Sequence, residues 1–137
     1  MTQNEKNLLL KDLCARLPYG VKVEIYKDEP PYKLKGYDGK DFLSDSGWDY
    51  LIEQCKPYLF PLSSMTEEQK IECFNGRPLE IDKYGDIAVK DDFYGGSQYT
   101  DLGIYLEVID WLNKTHFDYR GLIEKGLAID ATGLNIY

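Results

Sequence analysis

The stretch TDLGIYLEVIDWLNK, residues 100–114, decides the fold of this 137-residue chain. At about 100° per residue, a helix built from it carries apolar side chains over most of its circumference. Thr100 is placed to cap the first turn, because its hydroxyl can accept a hydrogen bond from an early backbone N–H. A surface helix is usually apolar on one face only, so this pattern predicts a central helix, roughly 20 Å long at about 1.5 Å per residue. The positions expected to be covered are Leu102, Ile104, Tyr105, Leu106, Val108, Ile109, Trp111 and Leu112.

Composition and charge argue against several classes of protein. The chain has 16 Lys and Arg against 24 Asp and Glu, a net charge of −8, which repels nucleic-acid phosphates, so no direct electrostatic binding of nucleic acid is expected. No apolar run approaches the ~18 residues of a membrane helix, and the first residues lack the basic region and apolar core of a signal peptide. The sequence therefore predicts a single domain over residues 1–137 with no membrane segment.

The three cysteines, Cys14, Cys55 and Cys73, are widely spaced and form no CxxC pair. An odd count with this spacing argues against a disulfide framework and against a zinc site. Reduced and mostly buried thiols are typical of the cytoplasm, so we expect a cytoplasmic protein.

The first half of the chain predicts one helix followed by a small meander of strands. Capping-box spacing near the N-terminus indicates a helix over residues 2–16. Alternating apolar and polar side chains indicate a strand over residues 21–25, and a second strand is expected at Tyr32–Tyr37. An Asp-Gly turn signal then leads into a third strand over residues 40–43.

The middle of the chain carries one ambiguous segment and several clearer ones. Residues 48–55, WDYLIEQC, alternate like a strand but also fit a helical turn; a strand is the preferred interpretation. Two prolines make residues 56–61 extended, since the residue before a proline avoids the helical region. A second capping-box signal predicts a helix over residues 67–75, and residues 79–82 and 86–89 are expected to form a hairpin.

After the central helix, Asp118 is expected to cap a last helix over residues 119–125, and residues 132–137 are expected to be loose. Together these elements predict an α+β domain. A small, mainly antiparallel sheet should pack on the central C-terminal helix, with flanking helices beside it. The order of the strands and the oligomeric state stay open.

No catalytic motif is apparent. A Ser-His-Asp or Cys-His arrangement would need His116, the one histidine, which just past a helix end is more typical of a C-terminal cap or a solvated side chain. The phosphate-binding patterns GxxxxGK[ST] and GxGxxG are lacking, and the acidic pairs do not have the spacing of a calcium loop. The sequence predicts no catalytic residue, no metal ligand and no cofactor, and it leans against an enzyme.

Five side chains that bracket the two ends of the central helix are the best candidates for a binding role. Tyrosine offers a rigid apolar ring with a polar tip, which suits recognition of a partner. The alternative is structural, since tyrosine at a helix start can pack on the first turn and thereby fix the entry of the chain. The candidate binding residues are Tyr94, Tyr99, His116, Tyr119 and Arg120.

The phrases LPYGV, KPYLFPLSSMTEE and DFYGGSQYTDLGIYLEVIDWLNKTHFDYRGLIEKGLA resemble those of a group of small proteins from gut bacteria and their phages or prophages. The resemblance covers most of the chain. The group has no assigned activity, so no functional residue is carried over. The resemblance implies an accessory protein of mobile-element origin, and such proteins more often bind than catalyse.

Three hypotheses about function remain. The first is a protein-interaction protein with a Tyr-rich acidic surface, motivated by the charge of −8 and the 12 tyrosines. The alternative is a small enzyme or carbohydrate-binding protein that uses Tyr and carboxylate side chains; a concave pocket with two carboxylates and a Tyr or Trp beside them would favour it. The third is an oligomer-forming structural protein, which would show a large symmetric interface.

Overall fold

The computed structural model describes residues 1–77, 79–89 and 102–137. The helices in this part of the chain are α1 (Gln3–Arg16), α2 (Glu67–Phe74) and α3 (Leu102–Lys114). The strands are β1 (Lys22–Glu24), β2 (Tyr32–Tyr37), β3 (Phe42–Ser44), β4 (Asp49–Tyr50), β5 (Lys56–Pro61), β6 (Leu79–Ile81), β7 (Ile87–Val89), β8 (Phe117–Asp118) and β9 (Ile129–Asp130). The predicted α+β class with a mainly antiparallel sheet is confirmed.

The main sheet has the order β4-β3-β2-β1-β5-β8, and β9 also pairs with β5. The pairs from β4 to β5 are antiparallel, whereas β8 and β9 run parallel to β5. A register shift between Leu34 and Gly36 interrupts β2. Beyond this shift the meander curves, which brings Tyr50 of β4 onto Tyr26 and Tyr32 at the end of β1 and β2. The ring centroid of Tyr50 lies 6.4 Å from that of Tyr26 and 5.6 Å from that of Tyr32. The separate β6–β7 hairpin confirms the predicted one.

Both predicted capping boxes are present. Thr2 accepts a hydrogen bond from the Glu5 backbone N–H (3.1 Å), and the Glu5 carboxylate accepts one from the Thr2 N–H (2.9 Å). Thr66 and Gln69 repeat this arrangement at the start of α2. These reciprocal bonds satisfy backbone groups that have no partner inside the helix, so the local sequence fixes where α1 and α2 begin.

The first core lies between α1 and the meander. Leu9 and Leu13 of α1 face Val23, Leu34 and Phe42 of the strands, and the accessible surface of all five is zero. Helix α1 therefore covers the meander.

The second core joins α2, α3, β6 and β8, through Phe74, Leu79, Val108, Leu112 and Phe117. Among the described side chains of the predicted face of the central helix, Val108 and Leu112 are covered, whereas 56% of Leu106 is exposed. The side chains of Leu102, Ile104 and Tyr105 lie outside the described part. Trp111 is partly buried against the same core and stacks on Phe117, so Val108, Trp111 and Leu112 face it, whereas the expectation that Leu106 is covered is wrong. Thr100 lies outside the described residues.

Residues 48–55 do not form the single strand that was preferred. Strand β4 ends at Tyr50, and residues Ile52–Gln54 form one turn of 3-10 helix. The Gln54 side chain accepts a hydrogen bond from the Leu51 backbone N–H (2.9 Å) and thereby closes the turn. This turn carries the chain back so that β5 can pair with β1.

The predicted helix over residues 119–125 is replaced by turns. The Asp118 carboxylate does act as a cap, since it accepts from the backbone N–H groups of Leu122 (3.0 Å) and Ile123 (2.9 Å). Gly121 has a φ of +72°, however, and this left-handed conformation interrupts a right-handed helix. A cap alone does not make a helix.

The C-terminal residues are anchored, contrary to the expectation that 132–137 are loose. The Tyr137 hydroxyl accepts from the Lys22 backbone N–H (3.0 Å) and donates to the Tyr58 carbonyl (2.8 Å). The pairing of Val23 with Pro57 places Lys22 opposite Tyr58 in the antiparallel ladder, so the phenol bridges one rung between β1 and β5. Among the described residues, no helix is long and apolar enough to cross a membrane.

Candidate functional site

Three of the predicted binding residues, His116, Tyr119 and Arg120, cluster around β8. Tyr94 and Tyr99 lie outside the described residues. The surroundings of the first three show what each side chain is free to do.

His116 is 7% exposed and follows α3 with a φ of +64°. Its ring stacks on Tyr137, with the ring centroids 3.7 Å apart and an interplanar angle of 9°. Burial, with smaller contributions from the positive charges of Arg16 and Lys22, lowers the pKa of His116 to about 4. The imidazole is therefore neutral near pH 7 and packs inside the protein, as part of the joint that holds the C-terminal residues.

Behind β8 lies a fully buried ion pair, with Asp12 and Arg16 both at 0% exposure. Arg16 Nε lies 2.9 Å from Asp12 Oδ2, and Arg16 Nη2 lies 3.2 Å from Oδ1. Arg16 also donates to the carbonyls of Phe117 (2.6 Å) and Leu112 (3.3 Å). The guanidinium thus ties α1 to the end of α3 and to β8.

Tyr119 and Arg120 extend this network. The Tyr119 hydroxyl donates to Asn113 Oδ1 (2.8 Å) and accepts from Arg120 Nη2 (3.2 Å). Arg120 Nε lies 3.3 Å from Asp12 Oδ1, close enough for an ion pair but not aligned for a hydrogen bond. The guanidinium carbons of Arg16 and Arg120 lie 5.3 and 4.9 Å from the Tyr119 ring centroid, within cation–π range. The Tyr119 hydroxyl is thus engaged within the protein, and the Arg120 guanidinium is held between Tyr119 and Asp12.

Beside Tyr119 opens a cleft of about 400 Å³, which we call the Tyr84 cleft. Its walls are the β6–β7 turn, residues 61–63 after β5, and the turns that follow β8. The side chains that give it chemical character are Ser63, Lys83, Tyr84, Asp86, Tyr119 and Glu124. The Tyr84 cleft is a concave pocket that holds carboxylates and tyrosines together. Such a pocket is the feature that favours the hypothesis of an enzyme or carbohydrate-binding protein, but the sequence did not show which residues form it.

Two further cavities flank the second core. An apolar pocket of about 230 Å³ shares Leu62, Asp86 and Tyr119 with the Tyr84 cleft. A cleft of about 500 Å³ lies between α2 and β6. There Lys70 is paired with Glu67 at 3.1 Å and Arg77 with Glu107, so its cations already have partners.

A third feature is a set of three exposed apolar side chains around the buried ring of Tyr50, here called the aromatic surface: Tyr26 packs on Tyr50, and Trp48 and Leu51 flank it in sequence. Trp48 is 69% exposed, and Tyr26 and Leu51 are each about half exposed. Strand alternation puts Trp48 on the same side of the sheet as Tyr50, whose ring is buried and packs on Tyr26. The aromatic surface therefore continues the packed face of the meander into solvent.

The carboxylate oxygens of Asp38, Asp41 and Asp49 lie within 4.8 Å of one another, a grouping that the sequence analysis missed. Calcium takes six to eight oxygen ligands, and three carboxylates fall well short of that number. Asp38 Oδ1 is already used by the backbone N–H groups of Lys40 (2.9 Å) and Asp41 (2.7 Å). Asp38 therefore stabilises the β2–β3 turn, whereas Asp41 Oδ1 is buried without a hydrogen-bond partner among the described residues.

Comparison with protein-family models, with curated proteins and with solved structures finds no match to this chain. The resemblance to small proteins of gut bacteria and their phages, and the cytoplasmic location, therefore stay predictions. Function has to be argued from the aromatic surface and the cleft themselves.

Proposed function

We propose that this protein binds a protein partner through the aromatic surface. The observation that supports the proposal is the 69% exposure of Trp48 beside the exposed side chains of Tyr26 and Leu51. Removing large apolar side chains from water lowers the free energy, and exposed groups of them are typical of interaction sites. Tryptophan and tyrosine are also the residues that most often anchor protein interfaces.

The support beneath the aromatic surface is rigid. Tyr50 is buried and contacts both Tyr26 and Tyr32 through their rings. The Tyr32 hydroxyl donates to the Glu29 carboxylate (2.8 Å), and this hydrogen bond raises the pKa of Tyr32 to about 12, so the phenol stays protonated. A patch held in place by packed rings loses little conformational entropy when a partner docks.

Charge around the aromatic surface indicates the chemistry of the partner. Segments 26–32 and 45–51 carry four exposed carboxylates and one lysine: Asp28, Glu29, Asp45 and Asp49 against Lys27. A basic partner segment is complementary to this rim, and the attraction accelerates association at low salt. The proposed partner therefore presents an apolar anchor flanked by Lys or Arg.

Addition of a partner strand to the edge of the sheet does not fit this surface. The Ser44 backbone N–H donates to the Trp48 carbonyl (3.0 Å), so Ser44–Trp48 and Phe42–Tyr50 are the hydrogen-bonding pairs of the β3–β4 ladder. Within β4, Asp49 is then the one residue whose backbone N–H and C=O point away from β3. An edge this short, with a charged side chain on it, resists pairing, so side chains carry the contact.

The test is affinity capture from lysate of the native host, followed by purification of the captured protein and a direct titration. We expect binding to weaken at least tenfold in Trp48→Ala, since a central interface tryptophan typically contributes 2 kcal/mol or more, about a thirtyfold change. Binding should also weaken as salt rises, because the rim is acidic.

Tyr84→Ala is the matched control, because Tyr84 is a similarly exposed aromatic residue on the β6–β7 hairpin, which is not part of the main sheet. A captured partner that binds wild type, Trp48→Ala and Tyr26→Ala with equal affinity would contradict the proposal. The proposal would also be contradicted if Trp48→Ala captured from the lysate every protein that wild type captures.

A further inference from the structure

We propose that the Tyr84 cleft is a binding site for neutral saccharides, separate from the aromatic surface. A sugar ring presents an apolar C–H face together with several hydroxyl groups that both donate and accept hydrogen bonds. A matching site needs an exposed aromatic ring, carboxylate acceptors and a few donors within one concave surface. The cleft brings these groups together from three separate segments of the chain.

The aromatic ring is that of Tyr84, which is 76% exposed at the tip of the β6–β7 hairpin. The turn that carries it is fixed, because Asp82 Oδ1 accepts from the backbone N–H groups of Tyr84 (2.9 Å) and Asp86 (3.0 Å). Lys83 Nζ lies 5.0 Å from the Tyr84 ring centroid and adds a hydrogen-bond donor beside the ring. Covering this ring with the apolar face of a sugar removes exposed apolar surface from water.

The acceptors come from opposite walls of the cleft. Asp86 belongs to the hairpin turn and Glu124 to the turns after β8, and both side chains are exposed. An ionised carboxylate has two oxygens and can accept from two adjacent sugar hydroxyls at once. Ser63, exposed on the third wall, adds a hydroxyl that can donate or accept.

The back of the cleft is built by groups that are already engaged. The Asp118 carboxylate is bonded to the backbone of Leu122 and Ile123, and the Tyr119 hydroxyl is bonded to Asn113. These residues shape the wall, and in the part of the chain that the structure describes Asp86 and Glu124 form no ion pair, so their carboxylates can receive a ligand. The volume of about 400 Å³ falls within the usual range of small-molecule sites, roughly 300–1,000 Å³.

Other ligand classes fit less well. An anionic ligand would be repelled by Asp86 and Glu124, and a fully apolar ligand would bury their charges without a hydrogen-bond partner. An organic cation would find the same carboxylates, but the positive charge of Lys83 in the lining of the same cleft opposes it. A neutral polyhydroxyl ligand uses the acceptors, the donor and the aromatic ring together.

The test is a titration followed by amide NMR chemical shifts, with glucose, galactose, mannose, N-acetylglucosamine, maltose and cellobiose as probes. We expect at least one sugar to bind with a dissociation constant of about 1 mM and to shift amides of residues 83–86 and 118–124. Tyr84→Ala should weaken that binding about fivefold or more, and Glu124→Gln should weaken it too. Trp48→Ala, which removes the anchor of the aromatic surface, should bind the same sugar as wild type does.

Arginine amide serves as the cationic probe. If it shifts the cleft amides while no sugar does at tens of millimolar, the site binds cations and the saccharide proposal is wrong. Sugar-induced shifts that persist unchanged in folded Tyr84→Ala would also overturn it. These outcomes are independent of partner capture by the aromatic surface, because the two experiments depend on different variants.

Discussion

The two cores of the protein differ in how completely their apolar side chains exclude water. In the first core, Leu13 of α1 and Val23 of β1 have no accessible surface. In the second, Val108 is covered, but Leu106 on the same helix is 56% exposed, and clefts open along the margin of the core. The first core supplies a closed, rigid base, and the concave surfaces occur where the second core ends.

Both candidate binding surfaces lie at the margins of the packed regions. Trp48 lies where the packed face of the meander runs out, and Tyr84 lies where the β6–β7 hairpin leaves the second core. At both places the backbone is held by neighbouring packing or hydrogen bonds while the side chain reaches solvent. Rigid support and exposure together favour binding.

Breaking the link between the two cores should have the largest effect. Arg16→Met leaves Asp12 buried without its main partner and leaves the Phe117 and Leu112 carbonyls unpaired, so we expect a loss of about 3–5 kcal/mol in the free energy of unfolding. The control is Lys6→Ala, also in α1, which removes a partly exposed ion pair with Glu53 and should cost less than about 1 kcal/mol. Urea unfolding measures both. Equal losses would mean that the buried pair does not join the cores.

The next effect compares a leucine of the first core with an exposed leucine of α3, the helix that supplies Val108 and Leu112 to the second core. Leu13→Ala should cost about 3 kcal/mol because it creates a cavity in a closed core. Leu106→Ala should cost less than about 1 kcal/mol, since the side chain is already more than half exposed. The same unfolding measurement checks the pair. A loss for Leu106→Ala as large as that for Leu13→Ala would show that Leu106 is covered in solution.

Local signals predicted the elements, whereas contacts between distant segments decided the site. The capping boxes at Thr2 and Thr66 act over three residues and were predictable from sequence. The Tyr84 cleft joins Ser63, Tyr84 and Glu124, and nothing in the spacing of these residues indicates that they meet.

The errors have different origins. Gly121 ended the predicted last helix through its own φ, a local effect that the strong cap at Asp118 concealed. Tyr137 was predicted to be loose because its anchor, the rung between Lys22 and Tyr58, lies more than 75 residues away in sequence. Leu106 was predicted to be covered because helical periodicity shows which side chains are apolar but not how much of the circumference the neighbours cover.

The smallest effect concerns His116 and depends on pH. The pKa of His116 in the folded protein is about 4, below its ordinary value of 6.5, so between these values the unfolded chain binds the proton more readily. The stability that the neutral imidazole contributes is therefore complete above about pH 6.5, and about 2–3 kcal/mol of it is lost by the time the pH has fallen to about 4.5.

His116→Asn is the comparison variant, because asparagine does not titrate in this range and tolerates the positive φ at this position. Urea unfolding of both proteins at several pH values between about 7.5 and 4.5 cancels the contribution of the carboxylates that they share. We expect wild type to lose more stability than His116→Asn over this interval, although the variant starts lower because it lacks the ring stacked on Tyr137. Parallel curves would mean that His116 titrates normally, and that the joint between His116 and Tyr137 is open to water in solution.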